Sequence, residues 1–450
     1  MRKGFILNLN RCVGCQACVL ACQIENHAMQ SVPWRSVATF NGPKHPLLPV
    51  LHFSLACNHC DVPLCLDQCP TGAYTRNESL KTIDHDSDRC IGCQYCMWVC
   101  PYDAPKFSPV RGVVEKCTMC SSRIEHGLKP NCATLCPTGA LDFGDIDADP
   151  AQSVDGFPEK GLHPGIRIIP LRTTVRQRET DGSRELESGV FKNLVSDKLS
   201  TASTLHEWPL IVFTLLAPLL WGLLTASIFR PIDIDPLIFF ILGVAAIGAS
   251  ALHLGRPFRA WRSVTRWKTS WLSREILAYA LFLAFSLGAF LVPSPEFFKA
   301  AASFLGFTAI VCMDMVYRNA EGTPGPGTHS GSVVLTGLLF FSIFFNSSWY
   351  VVAVLGLKLV LYAYEFIRSE ERRLLRSIVS FARFVVGFIL PLFALGDPSR
   401  SILLVVLIVV AELINRSEFY WDLHFESPQR KIVADLFRLL ELRQTGARSA

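Results

Sequence analysis

Cys90-Ile91-Gly92-Cys93-Gln94-Tyr95-Cys96-Met97-Trp98-Val99-Cys100-Pro101 sets three cysteines two residues apart, a fourth three residues on, and a proline directly after it. A cubane iron–sulfur cluster offers four irons at tetrahedral corners, and a short loop wraps thiolates around three of them. The fourth cysteine, at the start of a helix and pointing away, reaches a neighbouring cluster instead. Proline suits that helix start, where its missing N–H costs nothing.

Three further motifs share this logic. They are Cys12-x2-Cys15-x2-Cys18-x3-Cys22, Cys57-x2-Cys60-x4-Cys65-x3-Cys69 and Cys117-x2-Cys120-x11-Cys132-x3-Cys136. The tails Cys69-Pro70-Thr71-Gly72-Ala73 and Cys136-Pro137-Thr138-Gly139-Ala140 are identical, which indicates an internal repeat. Two ferredoxin-like modules with four 4Fe–4S clusters is the direct count, and it accounts for every one of the 17 cysteines except Cys312. Zinc uses Cys-x2-Cys pairs as well, but not a third cysteine and Cys-Pro repeated along the chain. Disulfides fit poorly with an N-terminus whose apolar stretch is too short for a secretory signal. Cys312 lies within an apolar segment and reads as a buried thiol.

Composition divides the 450 residues. The first 200 or so hold the motifs together with many prolines and charges, and residues 205–420 are long apolar runs. A net charge of +5 is slight for this length, and the basic residues form no nucleic-acid patch, so no nucleic-acid partner is expected. Apolar segments at 208–229, 234–254, 273–293, 298–316, 331–346, 349–366, 378–395 and 401–419 approach the length that crosses a bilayer, about 20 residues. The expected fold is therefore an α+β double ferredoxin-like iron–sulfur module followed by an all-α eight-helix transmembrane bundle. The boundaries read as 1–150 for the cluster domain, 151–204 for a linker and docking segment, 205–420 for the anchor and 421–450 for a tail. In the tail, Ile432, Val433, Leu436, Phe437 and Leu440 fall on one helical face, which reads as a surface-lying amphipathic helix. Gly165–Pro170 holds a short apolar piece that reads as a strand.

Cys57-Asn58-His59-Cys60-Asp61-Val62-Pro63-Leu64-Cys65, Gly92 through Pro105 and Lys116-Cys117-Thr118-Met119-Cys120 resemble the iron–sulfur subunit of the dimethyl sulfoxide reductase family of molybdoenzymes. His206-Glu207-Trp208-Pro209, His253-Leu254-Gly255-Arg256-Pro257 and Trp271-Leu272-Ser273-Arg274-Glu275-Ile276 resemble the membrane anchor of the same enzymes. Those two subunits are usually separate chains, so this one resembles their fusion. The resemblance implies that the first motif exchanges its last cysteine with the fourth, and the second with the third. The expected ligand sets are then Cys12, Cys15, Cys18 and Cys136; Cys117, Cys120, Cys132 and Cys22; Cys57, Cys60, Cys65 and Cys100; and Cys90, Cys93, Cys96 and Cys69. Relatives with a tryptophan in the third motif carry a three-iron cluster, but Cys90, Cys93 and Cys96 are all present here. It also implies a separate molybdopterin-containing catalytic subunit, which the segment around Gly165–Pro170 helps to grip; a plain linker with one packed strand is the equal alternative.

Quinol oxidation needs proton-accepting groups at the membrane surface. His253 and Glu275 flank one loop at the ends of the second and third apolar segments, and family members place quinol-site residues at the corresponding positions. Arg256 is suited to orient a quinone oxygen, and each of the three has an alternative role as an interfacial cap or snorkelling side chain. Menaquinol or ubiquinol is the expected substrate, drawn from the membrane lipid. Asp314, Glu365, Arg383 and Glu412 read as helix-to-helix pairs or a proton path. No pair of intramembrane histidines is available for haem, since His206 and His329 sit at segment ends.

Arginines crowd the loops on the cluster-domain side, including Arg256, Arg259, Arg262, Arg372 and Arg373, whereas the opposite side offers Arg230, Lys299 and Arg400. The positive-inside rule then places the cluster domain in the cytoplasm, at a bacterial cytoplasmic membrane, although the family's best-known members face the periplasm. The function expected is the electron-transfer and anchor subunit of a quinol-linked molybdoenzyme reductase. Its rivals are the quinone-reducing arm of a dehydrogenase, a redox-driven ion-translocating membrane protein, and a cluster-sensing regulator, for which no output domain is visible.

Overall fold

The computed structural model describes residues 2–27, 32–41, 48–146, 161–171, 204–320, 332–368, 374–395 and 401–422, and in the tail 428–429, 431–433, 435–436 and 440. Most of 151–204, the side chains of His206 and Glu365, and all of His329, Arg372, Arg373, Arg400 and Phe437 lie outside them. The chain forms two compact units, Met1–Ser200 with Phe425–Ala450, and Thr201–His424.

The first unit is built on a three-stranded sheet with β1 (Arg2–Asn8) at its centre. β8 (Leu141–Ile146) runs antiparallel on one side, pairing Phe5 with Phe143 and Leu7 with Leu141. β9 (Ile166–Ile169) runs parallel on the other, pairing Phe5 with Ile166 and Leu7 with Ile168. The period-two alternation of a strand sends Phe5 and Leu7 into the core. The apolar piece at Gly165–Pro170 is thus a strand of this sheet. Three hairpins complete the β structure: β2 (Ser36–Phe40) with β3 (Leu51–Leu55), β4 (Tyr74–Asn77) with β5 (Thr82–His85), and β6 (Lys106–Ser108) with β7 (Val113–Glu115). Short helices carry the cysteine loops: α1 (Ala17–Glu25), α2 (Leu64–Asp67), α3 (Tyr95–Trp98), α4 (Ser121–Glu125) and α5 (Asn131–Thr134). Buried Arg2 ties β1 to the second cysteine loop, donating to Asp61 at 2.6 Å, to the His163 carbonyl at 2.9 Å and to the His59 carbonyl.

The tail belongs to this unit. Ile432, Leu436 and Leu440, one helical turn apart, are 7%, 9% and 3% exposed within the same apolar core as Phe5 and Leu7. Their face is covered by protein, which corrects the expectation of a helix lying on a surface.

Helices occupy all eight apolar regions of the second unit. α6 (Thr204–Phe229), α8 (Trp271–Leu291) and α9 (Glu296–Ala320) are long and apolar enough to cross a membrane. A fourth span is possible by length if α7 (Pro236–Leu252) is joined to the 3-10 helix Pro257–Val264, but the two are bent by 104°. Asp235 caps α7, accepting from the Ile238 N–H at 3.0 Å, and Pro236 fits its first turn. α10 (Val333–Phe344) and α11 (Ser348–Arg368) follow as shorter apolar helices. The segment expected at 378–395 is broken into α12 (Leu374–Phe384), a π turn (Val385–Ile389) and α13 (Leu390–Ala394). Pro391 explains the break, because it has no N–H to offer and its ring clashes with the carbonyl of Gly387 four residues back. α14 (Ser401–Asp422) ends the unit.

α6 is the hub, packing on α7, α9, α10 and α14. Its Trp221 donates to the Ser303 carbonyl at 2.8 Å, and a Cβ on Gly222 would stand 2.7 Å from the Phe341 nitrogen. Most charges carried inside the unit are paired. Lys358 donates to Glu412 at 2.5 Å, Thr336 bridges both at 3.1 and 2.8 Å, and Arg416 donates to Thr336 at 3.1 Å. Arg383 donates to Glu418 at 2.8 Å and lies over the Tyr362 ring. Asp314 holds the start of α10, accepting from Ser332 at 2.5 Å and from the Val333 and Val334 N–H groups at 2.7 and 3.1 Å.

Leu436→Ala is expected to cost about 2–5 kcal/mol of the first unit's stability, read in the full chain as earlier thermal loss of cluster absorbance. Lys358→Met strands Glu412 and is expected to destabilise by about 3–5 kcal/mol, with Lys358→Met/Glu412→Gln recovering most of it in detergent melts.

Candidate electron-transfer and quinol sites

Each cysteine loop is shaped by its own backbone. Gly14 and Gly92, at matching places in the first and third motifs, take φ of 70° and 69°, and Gln16 and Gln94 follow at 64° and 58°. A Cβ on Gly14 would meet His52 at 2.5 Å, so only glycine fits that left-handed position. The repeated pentapeptides also act alike. Cys69 Sγ lies 3.6 Å from Thr71 Oγ1, and Cys136 Sγ lies 3.8 Å from Thr138 Oγ1, while their N–H donors differ by one position, Ala73 at 3.3 Å and Leu141 at 3.4 Å. Cys90 and Cys117 accept from the N–H groups of Gly92 and Met119 at 3.4 and 3.2 Å. Such donors favour the thiolate form.

The loops converge across motifs. One cavity is lined by Cys57, Cys60 and Cys65 together with Cys100. Another is lined by Cys12, Cys15 and Cys18 together with Cys136. Cys69 is within electrostatic reach of Cys93 and Cys96, and Cys22 of Cys120 and Cys132. Each grouping sets early cysteines of one motif beside the last cysteine of another.

The donor set fits clusters better than single ions. A tetrahedral zinc site holds sulfurs about 3.8 Å apart, given Zn–S near 2.3 Å. Among the described residues no three His, Cys, Asp or Glu side chains gather to hold one metal ion, and the thiols stand around cavities instead. Burial pushes the thiols of Cys22 and Cys100 up to about 12 and raises those of Cys65, Cys93 and Cys117. Thiolates persist in such places opposite strong positive charge, which cluster iron supplies when bound.

In the membrane unit, His253 is the half-buried C-cap of α7, Arg256 precedes the 3-10 helix, and Glu275 is buried in the second turn of α8. These three elements pack on one another. Among the described residues no hydrogen bond or ion pair reaches the Glu275 carboxyl, unlike Glu412 and Glu418. Sequence reasoning missed its surroundings. Tyr317 of α9 is within electrostatic reach of Glu275 and of buried Glu207 on α6, and it is hydrogen-bonded to Tyr420 of α14. Glu207 stands inside the quoted anchor motif, which was its one signal, whereas the tyrosine pair is 103 residues apart and had none.

A unit that gathers thiols into cluster-sized cages, joined to a bundle of apolar helices, defines a membrane-anchored iron–sulfur electron-transfer protein. The sequence model of a 4Fe-4S dicluster domain matches residues 48–146, and that of the DMSO reductase anchor subunit matches 201–324. A chain of the anaerobic dimethyl sulfoxide reductase of Escherichia coli is 38% identical over 153 residues, covering 32% of this protein and 74% of that relative. A subunit of the sulfite dehydrogenase of Allochromatium vinosum is 34% identical over 201 residues, covering 38% and 84%. The thiosulfate reductase electron transfer subunit of Salmonella typhi is 37% identical over 153 residues, covering 33% and 79%. The protein belongs to the dimethyl sulfoxide reductase family of molybdoenzymes, as a fusion of its iron–sulfur and membrane-anchor subunits. Its work is electron transfer and membrane anchoring.

Because the cages cross motifs, Cys12→Ser and Cys136→Ser are expected to abolish the same component of the reduced-state EPR spectrum, and Cys117→Ser a different one. Loss of one shared component by Cys117→Ser and Cys136→Ser would contradict this.

Proposed function

We propose that this chain oxidises quinol at Glu275 and His253 and passes the electrons through four 4Fe–4S clusters to a separate molybdopterin-containing catalytic subunit. The observation that carries the reading is the joining, in one polypeptide, of crossed cysteine cages to an apolar unit with a buried carboxyl in α8 that has no partner among the described residues. When bound, the clusters supply one-electron relay. The chain's own residues hold each cluster by four thiolates, two ferredoxin-like modules contributing two cages apiece.

At the quinol site, Glu275 accepts a proton as the electrons leave. Among the described residues no cation is fixed beside this carboxyl, whereas Glu412 accepts from Lys358 at 2.5 Å. His253 is the second proton acceptor, suited by imidazole's ordinary range. Arg256 orients a quinone oxygen. All eight helical regions cross the bacterial cytoplasmic membrane in this reading, and the arginine-rich loops favour the cytoplasm over the periplasm for the cluster unit. The substrate is menaquinol or ubiquinol from the lipid pool.

The terminal acceptor is chosen by the partner, since the relatives are named for dimethyl sulfoxide, sulfite and thiosulfate. The sulfite dehydrogenase relative favours a second reading, in which electrons run from the partner to quinone through the same residues. Reduction of the clusters by quinol but not by sulfite decides between them.

Purification in mild detergent is expected to bring down a molybdopterin-containing subunit, and its absence would overturn the proposal. Glu275→Gln is expected to slow quinol oxidation by roughly 10²–10⁴-fold, the usual contribution of a proton-transfer group, with cluster spectra unchanged. Undiminished turnover would remove Glu275 from the site.

A further inference from the structure

Arg35 precedes β2 and is 2% exposed. Its guanidinium lies over the Phe5 ring, 4.5 Å from the centroid, and Nη1 donates to Ser54 Oγ at 3.0 Å. Ser54 Oγ is in turn 3.5 Å from Cys18 Sγ. Nε and Nη2 are buried and find no hydrogen-bond acceptor among the described residues. The other buried cations of this unit spend their donors differently. Lys116 donates to the carbonyls of Ile83 and Cys117, and Arg2 to Asp61 and two carbonyls.

No carboxylate pairs with Arg35 among the described residues. The groups within its electrostatic reach are thiols: Cys132, Cys117, Cys18 and Cys22. A guanidinium buried without a counter-charge is costly, so the site calls for an anion. The thiols come from two ligand sets. Cys18 belongs to the set completed by Cys136, and Cys22, Cys117 and Cys132 belong to the set that includes Cys120.

Resting on the four-cluster reading, we propose that Arg35 is a charge-compensating residue shared by these two clusters, which raises the reduction potential of both. Each electron that arrives adds negative charge to a thiolate-bound cluster. A fixed cation beside it favours the reduced state. The apolar surroundings of Arg35, which has no carboxylate partner among the described residues, also keep its field from being screened. The Ser54 hydroxyl, held between Nη1 and Cys18 Sγ, fixes the guanidinium in place. Arg35 thereby sets the level of one pair of clusters against the other.

The test is an EPR-monitored redox titration of the purified complex, with iron content measured in parallel. Arg35→Met is expected to retain its iron and to shift the reduction equilibrium of two clusters at least tenfold towards the oxidised form, about 59 mV for one electron. The other two keep their potentials. Arg35→Lys restores the charge without the planar fork and is expected to fall within threefold of the unaltered chain. If Arg35→Met fails to load, Arg35→Gln, neutral but polar, takes its place with the same expectation. Unchanged potentials in a fully loaded neutral variant overturn the proposal, as does an equal shift of all four clusters. Iron content below four clusters in the unaltered chain would instead count against the cluster reading itself.

Discussion

The first unit depends on thiols from distant loops meeting around one cavity. Cys136 closes a cage begun by Cys12, and Cys100 closes one begun by Cys57. Each such closure would pin two loops when a cluster is bound, which matters in a unit whose strands are three to seven residues long and whose helices are mostly single turns. The sheet around β1 serves the same end by placing the first and last motifs side by side, since β8 begins directly after the Cys136 pentapeptide. Burial raises the thiols of Cys22, Cys65, Cys93, Cys100 and Cys117, and cluster iron, when bound, would supply the positive charge that holds them as thiolates.

Charge is handled differently in the second unit. Lys358, Glu412, Arg383 and Glu418 are buried, and each has an opposite charge within 3 Å. These pairs staple α11 to α14 and α12 to α14, and their hydrogen bonds are shared with Thr336 and Ser380. Set against them, the carboxyl of Glu275 has no hydrogen bond or ion pair among the described residues. Tyr317, itself hydrogen-bonded to Tyr420, is the tyrosine within electrostatic reach of that carboxyl.

Much of this was legible in the sequence because cluster ligation is a spacing code. Sixteen cysteines and three Cys-Pro steps define their loops locally, and the repeat after Cys69 and Cys136 maps onto matching contacts from Thr71 and Thr138 to sulfur. The helices could be read from the apolar runs for a similar reason, as length and hydropathy are local properties. What escaped was set by tertiary packing. Lys358 sits inside an apolar run with no motif around it, and only the fold brings Glu412 beside it. Arg35 carries no motif either, and the role proposed for it follows from Phe5, Ser54 and four cysteines being folded around it. The tail's amphipathic face was visible, but an apolar stripe looks the same whether lipid or protein covers it.

The most direct test of quinol-driven electron transfer is anaerobic addition of a menaquinol analogue to the purified chain in lipid vesicles, followed by EPR at low temperature. The cluster signals are expected to grow in with quinol, and an inhibitor competing for the quinol site is expected to prevent it. Clusters that are present and reducible by dithionite, yet stay oxidised under excess quinol, would contradict it.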